Sequence, residues 1–322
     1  MKSIVFIIPF FGKFPDNFEL YLKSCEYNST INWLIFTDDK TKYDYPENVK
    51  VVYTTFENIQ NKIRSFYDFD IQLEEPYKLC TYKPAFGQIF SEYISAFDYW
   101  GHCDVDMIWG DIRKFYTDEV LSSYDRIGWH GHSTLYRNDD QINKRYLEQV
   151  NNTNLFYEAT QRKDVTCFDE EGMSQIYDHY GWDYYKEVHF AHPSSADYSF
   201  NLKHLPEEEN YKNSAQIFRW DKGKLYRMYV FDNKVHEEEF MYIHFFRRFM
   251  NIKNVLSDEY IILPHSIINM DSSLINADFI KKQAKNSAFK YYCRLIYDKK
   301  KSGKLKLKYI IPSLVARAKR LF

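Results

Sequence analysis

The chain has 322 residues, enough for one large α/β domain or two small ones. Its formal net charge is only −2, but residues 281–322 hold fourteen Lys and Arg against one acid, Asp298, which leaves the preceding body about fifteen charges acidic. A body of that sign excludes a nucleic-acid-binding surface as its main feature. Apolar residues reach 45%, so a sizeable core can form, and the abundant Tyr and Phe suit sugar-stacking surfaces and a plain aromatic core alike. The five cysteines, Cys25, Cys80, Cys103, Cys167 and Cys293, show the spacing of neither a zinc site nor a redox pair. Scattered, odd-numbered thiols fit a reducing cytoplasm.

Residues 4–8 are a continuous apolar run ending in Pro9-Phe10-Phe11-Gly12, which predicts a buried first strand and a turn. The run is too short for a signal peptide and lacks a small-residue cleavage site. No apolar stretch approaches the ~20 residues of a membrane-spanning helix. Asp16 and Glu19 have the spacing of a capping box, followed by a helical face of Phe18, Tyr21, Leu22 and Cys25. Asn28-Ser29-Thr30 has the form of a glycosylation acceptor, which counts for little in a chain expected to stay inside the cell. Residues 33–36 and 49–53 predict two further strands, the first stopping at Thr37-Asp38-Asp39. Strand, helix, strand, strand is the opening of a parallel α/β sheet.

Pro84 suits a first helical turn, and Ala85, Phe86, Ile89, Phe90, Tyr93, Ile94 and Phe97 then form an apolar stripe at helical spacing. Residues 102–110 read as a strand with acids planted in it, and 126–136 as another strand. Residues 168–180 read as a helix capped by Asp169 and stopped by Gly181. Within 217–230 two strand-like runs flank Lys222-Gly223 as a hairpin turn, and 242–246 is a late strand. With no repeat and no linker, one domain over 1–265 is expected, followed by a basic helical extension over 266–322.

Residues i and i+2 of a strand share a face, so Asp104 and Asp106 are expected side by side with Val105 turned into the core. Paired carboxylates repel and are costly to desolvate unless a cation lies between them. Oxygen ligands of this kind favour Mg²⁺ or Mn²⁺, and such a cation neutralises a departing diphosphate. An Asp-x-Asp at a solvent-facing strand end is the plainer reading of the same residues.

Four stretches together are more specific. They are Tyr82-Lys83-Pro84-Ala85-Phe86-Gly87, then residues 101–112 around Asp104-Val105-Asp106, then Gly131-His132-Ser133-Thr134-Leu135-Tyr136-Arg137-Asn138, and Tyr242-Ile243-His244-Phe245-Phe246-Arg247-Arg248. In this order the chain resembles the GT-A glycosyltransferases, and more narrowly bacterial enzymes encoded with capsule and surface-polysaccharide genes. The resemblance implies a Rossmann-like nucleotide-diphospho-sugar transferase fold, with a mixed sheet flanked by helices. It implies a hexosyltransferase using a nucleotide sugar, a UDP-sugar first among the candidates, with Mn²⁺ or Mg²⁺ and a glycan or lipid-linked oligosaccharide acceptor.

By that resemblance Thr37 and Asp38 would meet the nucleoside beside Pro9 and Phe10, although Thr-Asp-Asp is also an ordinary polar turn. Lys83 would contact donor phosphate or sugar, or else be a solvated residue before a helix. His244 would be the third metal ligand with Asp104 and Asp106, and Arg247 or Arg248 would grip the diphosphate; the alternative is a buried His with solvated arginines. Asp169 or Glu170 would be the general base, though acids opening a helix are explained by capping alone. Trp129, His130 and His132 would line the acceptor site, or simply pack in a strand. The basic end, with Lys299-Lys300-Lys301 followed by an amphipathic segment, reads as an anchor to anionic lipid, or as a solvated tail. The anchor would suit a cytoplasmic enzyme peripheral on the inner face of the cytoplasmic membrane, where a lipid-linked acceptor would lie. A nucleotide-sugar-forming nucleotidyltransferase would want a Gly-rich phosphate loop where Pro9-Phe10-Phe11-Gly12-Lys13 stands. A non-catalytic glycan-binding protein is the other alternative.

Overall fold

The computed structural model describes residues 1–193, 199–202, 215–284 and 296, apart from 247, 249, 254, 256 and 270. It is a mixed α/β structure. The main sheet contains β1 (Ile4–Pro9), β2 (Ile31–Thr37), β3 (Val49–Tyr53), β4 (Tyr99–Cys103), β6 (Arg126–His130) and β7 (Ser133–Arg137), in the order β3-β2-β1-β4-β7-β6. β3, β2, β1 and β4 run parallel, and β7 and β6 are antiparallel additions. The period of two in β1 explains why the sheet is buried on both faces. Val5 and Ile7 enter a core with Leu34, Phe36, Phe86 and Trp100. Ile4, Phe6 and Ile8 enter another with Trp33, Met107 and Trp109.

β5 (Met107–Trp109) leaves the main sheet and joins β14 (Tyr242–His244) and β10 (Phe190–Ala191) in a small sheet. β8 (Gln149–Val150) and β9 (Thr153–Asn154) form a two-stranded ribbon. A second mixed sheet has the order β13-β12-β11-β16-β17-β15. Its strands are β11 (Gln216–Asp221), β12 (Lys224–Phe231), β13 (Lys234–Phe240), β15 (Asn251–Lys253), β16 (Glu259–Leu263) and β17 (Ser266–Ile268). The expected turn at Lys222-Gly223 joins β11 to β12, where Lys222 and Gly223 both have positive φ.

Several local expectations are corrected. Helix α1 (Phe18–Glu26) starts from Asn17, whose side chain makes no cap hydrogen bond, rather than from Asp16. The stripe after Pro84 is not one helix. Pro84 lies near the end of a 3-10 helix, Pro76–Ala85, and the stripe divides into Phe86–Ile89 and Ser91–Ile94. The break is at Phe90 (φ −112°, ψ 23°), whose ring stacks on Phe36 of β2, 4.6 Å between centroids. A Cβ at Gly87 would overlap the Trp100 indole, so backbone lies directly on the sheet here. Successive short turns bury the same stripe as one helix would, and the pattern cannot tell them apart.

Residues 126–136 form a hairpin rather than one strand, because β6 and β7 turn at Gly131-His132. Asp169 is not a cap. It sits inside a π-helical turn, Phe168–Gly172, before the helix Met173–Tyr180, which Gly181 (φ 66°) ends as expected. The folded body also runs past residue 265: Leu263 of β16 pairs with Ser266 of β17. Beyond that hairpin, the helix Ala277–Gln283 buries Ile280 against Ile217 and Met228. Asn28 is buried, with its amide donating to Ser24 O and Gly110 O, so the Asn-Ser-Thr triplet is a structural joint. Among the described residues no helix is long and apolar enough to cross a membrane. Residues 285–322, the basic stretch, lie outside the described residues apart from Ile296.

Candidate functional site

In the main sheet, β1 is followed by β2 on one side and neighbours β4 on the other, so the chain reverses its winding direction between β1 and β4. Crevices at the carboxyl ends of such strands are where α/β sheets bind ligands. β4 ends there at Cys103, and Asp104-Val105-Asp106 form a break before β5 rather than part of a continuous strand. Val105, 5% exposed, anchors the break in the core. Two backbone bonds pin it: Asp104 N donates to His132 O (3.1 Å), and Phe245 N donates to Asp106 O (2.8 Å).

β14 lies antiparallel to β5 with His244 opposite Met107, which delivers the imidazole to the acidic pair. His244 Nε2 is 3.2 Å from Asp106 Oδ1 and 3.5 Å from Asp104 Oδ2. The other oxygen of Asp104 is held elsewhere. Lys83 Nζ, carried in by the 3-10 helix, donates to Asp104 Oδ1 (2.7 Å) and to Gly131 O (2.7 Å). His102, fully buried in β4, donates from Nδ1 to the same Gly131 carbonyl (3.1 Å). Gly131 N in turn donates to Glu170 Oε1 (2.6 Å), and a Cβ at Gly131 would lie 2.5 Å from Asp169 Oδ2. The β6–β7 turn therefore ties the Asp104 side of the site to the two acids of the π-helical turn.

The electrostatics follow from this crowding. Burial pushes Asp106 up, but His244 outweighs it and the carboxyl ends below its usual value. Burial alone would lower His244, and Asp106 with Asp104 turns the shift upward. For Lys83 too, burial is overcome by Asp104, and the ammonium is held above its normal value. Asp169 goes the other way. Burial, opposed by Lys83 and reinforced by Glu170 and Asp104, pushes its carboxyl up to about 7. Burial, with Lys83 and Arg126 nearby, keeps His102 well below the usual imidazole range and hence neutral.

One ligand atom each from Asp104, Asp106 and His244 fall within 4.8 Å of one another. Two carboxylates and one imidazole suit Mn²⁺ or Mg²⁺. The far side of the imidazole is also fixed, with His244 Nδ1 hydrogen-bonded to His192 Nδ1 at 3.1 Å, as a ligating histidine requires.

Pro9, Phe10, Thr37 and Asp38 meet at the carboxyl ends of β1 and β2, where Phe10 N donates to Phe36 O and Gly12 N donates to Asp38 Oδ1 (both 2.8 Å). Thr37 is fully buried and its Oγ1 accepts from Asp39 N (3.1 Å), so it braces the turn while Asp38 is exposed. Arg248 is turned into the body. Its guanidinium donates to Pro264 O (2.9 Å) and Ser199 O (3.3 Å) and lies over the Phe200 ring, geometry that fits a structural clamp and not a diphosphate grip. Arg247 lies outside the described residues. His130 and His132 are buried, stacked on one another at 4.9 Å and set edge-on to Phe190, so they point into the interior and do not line a surface. Trp129 is half-buried against the first core. His102 and Gly131 stand in the stretches that carry the resemblance but are given no role there, and His192 is not singled out. His102 precedes Asp104 by two residues, which is a usable signal, whereas nothing local marks His192.

Residues 6–271 match the profile of a family described as a family of unknown function (DUF6625). The chain belongs to that family. In this DUF6625 member the matched region contains Lys83, Asp104, Asp106, Asp169, Glu170 and His244, and it stops short of the basic stretch that begins at Lys281. No curated protein matches the sequence.

Proposed function

We propose that the protein is a metal-dependent glycosyltransferase that moves a sugar from a nucleotide-sugar donor, a UDP-sugar first among the candidates, to a hydroxyl of a surface-polysaccharide or lipid-linked oligosaccharide acceptor. The observation that carries this reading is the convergence of Asp104, Asp106 and His244 at the reversal point between β1 and β4. Asp104 Oδ2, Asp106 Oδ1 and His244 Nε2 would hold Mn²⁺ or Mg²⁺, which when bound supplies positive charge to a departing diphosphate. Lys83 fixes the orientation of the Asp104 carboxylate. Pro9, Phe10 and Asp38 form the edge that would meet the nucleoside. Asp169, with a carboxyl near 7, is matched to taking a proton from the acceptor hydroxyl at neutral pH.

The basic residues of 281–322 would hold the enzyme against anionic lipid on the cytoplasmic face of the membrane, next to a lipid-linked acceptor. A panel of UDP-, GDP- and CMP-sugars with Mn²⁺ tests the assignment through nucleotide release. Asp106→Ala should lose at least a hundredfold in rate. Full transfer by Asp106→Ala in metal-free buffer would overturn it.

A further inference from the structure

Behind the acidic pair lies a second cluster of ligating side chains. His192 directly follows β10, which runs parallel to β14 with Ala191 paired to Ile243, so His192 falls next to His244. His132 comes from the β6–β7 turn, its ring centroid 4.5 Å from that of His244 and 5.3 Å from that of His192. One nitrogen from each of the three rings lies within 4.8 Å of the others. We propose that His132, His192 and His244 form a second metal site, one that takes a borderline transition ion such as Zn²⁺ in preference to Mg²⁺ or Ca²⁺.

The chemistry of the donors sets the preference. Three imidazoles with no carboxylate suit Zn²⁺ and its neighbours and give Mg²⁺ and Ca²⁺ none of the oxygen they require. The spacing agrees: Zn–N bonds of about 2.0–2.1 Å in a tetrahedron put ligand nitrogens roughly 3.3 Å apart. His192 Nδ1 and His244 Nδ1 are already 3.1 Å apart. His132 is oriented through Nδ1, hydrogen-bonded to the Tyr242 hydroxyl at 2.9 Å, so Nε2 is the atom it brings to a metal. Such a hydrogen bond on the opposite nitrogen is what fixes the ring of a ligating histidine. Three protein ligands leave a fourth position for water.

His244 belongs to both clusters, through Nε2 on the Asp104–Asp106 side and Nδ1 on the His192 side. A neutral imidazole has one lone pair. Zn²⁺ on Nδ1 puts the ring proton on Nε2, where it donates to Asp106 and takes His244 away from a cation bound by the acids. Zn²⁺ would then oppose Mn²⁺ binding. That competition, unlike the histidine site itself, rests on the proposed acidic metal site.

Co²⁺ is the probe, because in a tetrahedral nitrogen site it absorbs strongly in the visible. Full-length wild type, His192→Gln, His132→Gln and the Asp104→Asn/Asp106→Asn double variant are titrated with Co²⁺ and then with Zn²⁺. The expected result is a tetrahedral Co²⁺ spectrum, displaced by Zn²⁺, in wild type and in the double variant. Affinity should fall at least a hundredfold in both histidine variants. Far-UV and near-UV circular dichroism matching wild type show that those variants are folded. A spectrum kept by His192→Gln and lost in the double variant overturns the proposal, as does the absence of a tetrahedral spectrum in wild type. Mn²⁺ binding to wild type and the double variant is read separately, so the acidic site and the histidine site fail independently.

Discussion

Replacing Asp169 with Asn removes a buried carboxyl at nearly constant volume. In the folded protein burial pushes that carboxyl up, Lys83 opposes the rise, and Glu170 and Asp104 reinforce it, with the net result that it goes from 3.8 to about 7. A raised value means that the folded protein holds the proton more tightly than the unfolded chain does. Its stability contribution is therefore complete below the unfolded value, is lost as pH climbs through the interval, and levels off above about 7. At about 1.4 kcal/mol for each pH unit the whole interval amounts to about 4 kcal/mol, of which about 3 kcal/mol falls between pH 5 and 8. Asn has no proton to lose. Urea unfolding of both proteins at four pH values across that range should show wild type losing about 3 kcal/mol relative to Asp169→Asn. A gap that stays constant from pH 5 to 8 refutes the reasoning, because Asp169 would then ionise as an ordinary carboxyl. In transfer assays the same group predicts a rate that rises with pH through about 7, and a loss of roughly 10²–10⁴-fold in Asp169→Asn.

Gly131→Ala would place a methyl group 2.5 Å from Asp169 Oδ2 and 3.1 Å from Glu170 Oε1. It should cost about 1–3 kcal/mol in urea unfolding while displacing both acids and lowering kcat more than KM changes. Lys83→Met strips Asp104 of its partner. A fully buried pair would lose about 3–5 kcal/mol, but the Asp104 side chain is 32% exposed, so about 1–3 kcal/mol is expected, and Mn²⁺ should raise the midpoint of this variant more than that of wild type. Removing residues 285–322 should abolish co-sedimentation with anionic vesicles, and retention by the shortened protein would rule out the basic stretch as the anchor.

The parts of this fold that depend on period were legible in the sequence. β1, β2 and β3 fall within a residue or two of their apolar runs; for β1 and β2 burial on both faces demands continuous hydrophobicity, whereas β3 is the sheet edge and buries Val49 while Lys50 and Tyr53 are exposed. The hairpin at Lys222-Gly223 and the stop at Gly181 were legible because positive φ selects few residues. The acidic pair was singled out by residue type and spacing and His244 by the family resemblance, and the chain brings them together, though by a turn between β4 and β5 and not by strand alternation. What escaped depends on long-range contact. The segment after Pro84 breaks because Phe90 seats on Phe36, more than fifty residues earlier in the chain. His192 meets His244 only because β10 pairs with β14. Arg248 looks like a phosphate ligand until Pro264 and Ser199 are seen to accept its hydrogen bonds.

The proposed function requires that Asp104, Asp106 and His244 hold a cation that in turn holds a nucleoside diphosphate. Calorimetric titration of UDP into the protein, with and without Mn²⁺, on wild type and Asp104→Ala, tests it most directly. UDP binding should require Mn²⁺ and weaken at least a hundredfold in the variant. Equal UDP affinity without Mn²⁺, or no binding of UDP, GDP or CMP with Mn²⁺ present, would contradict it.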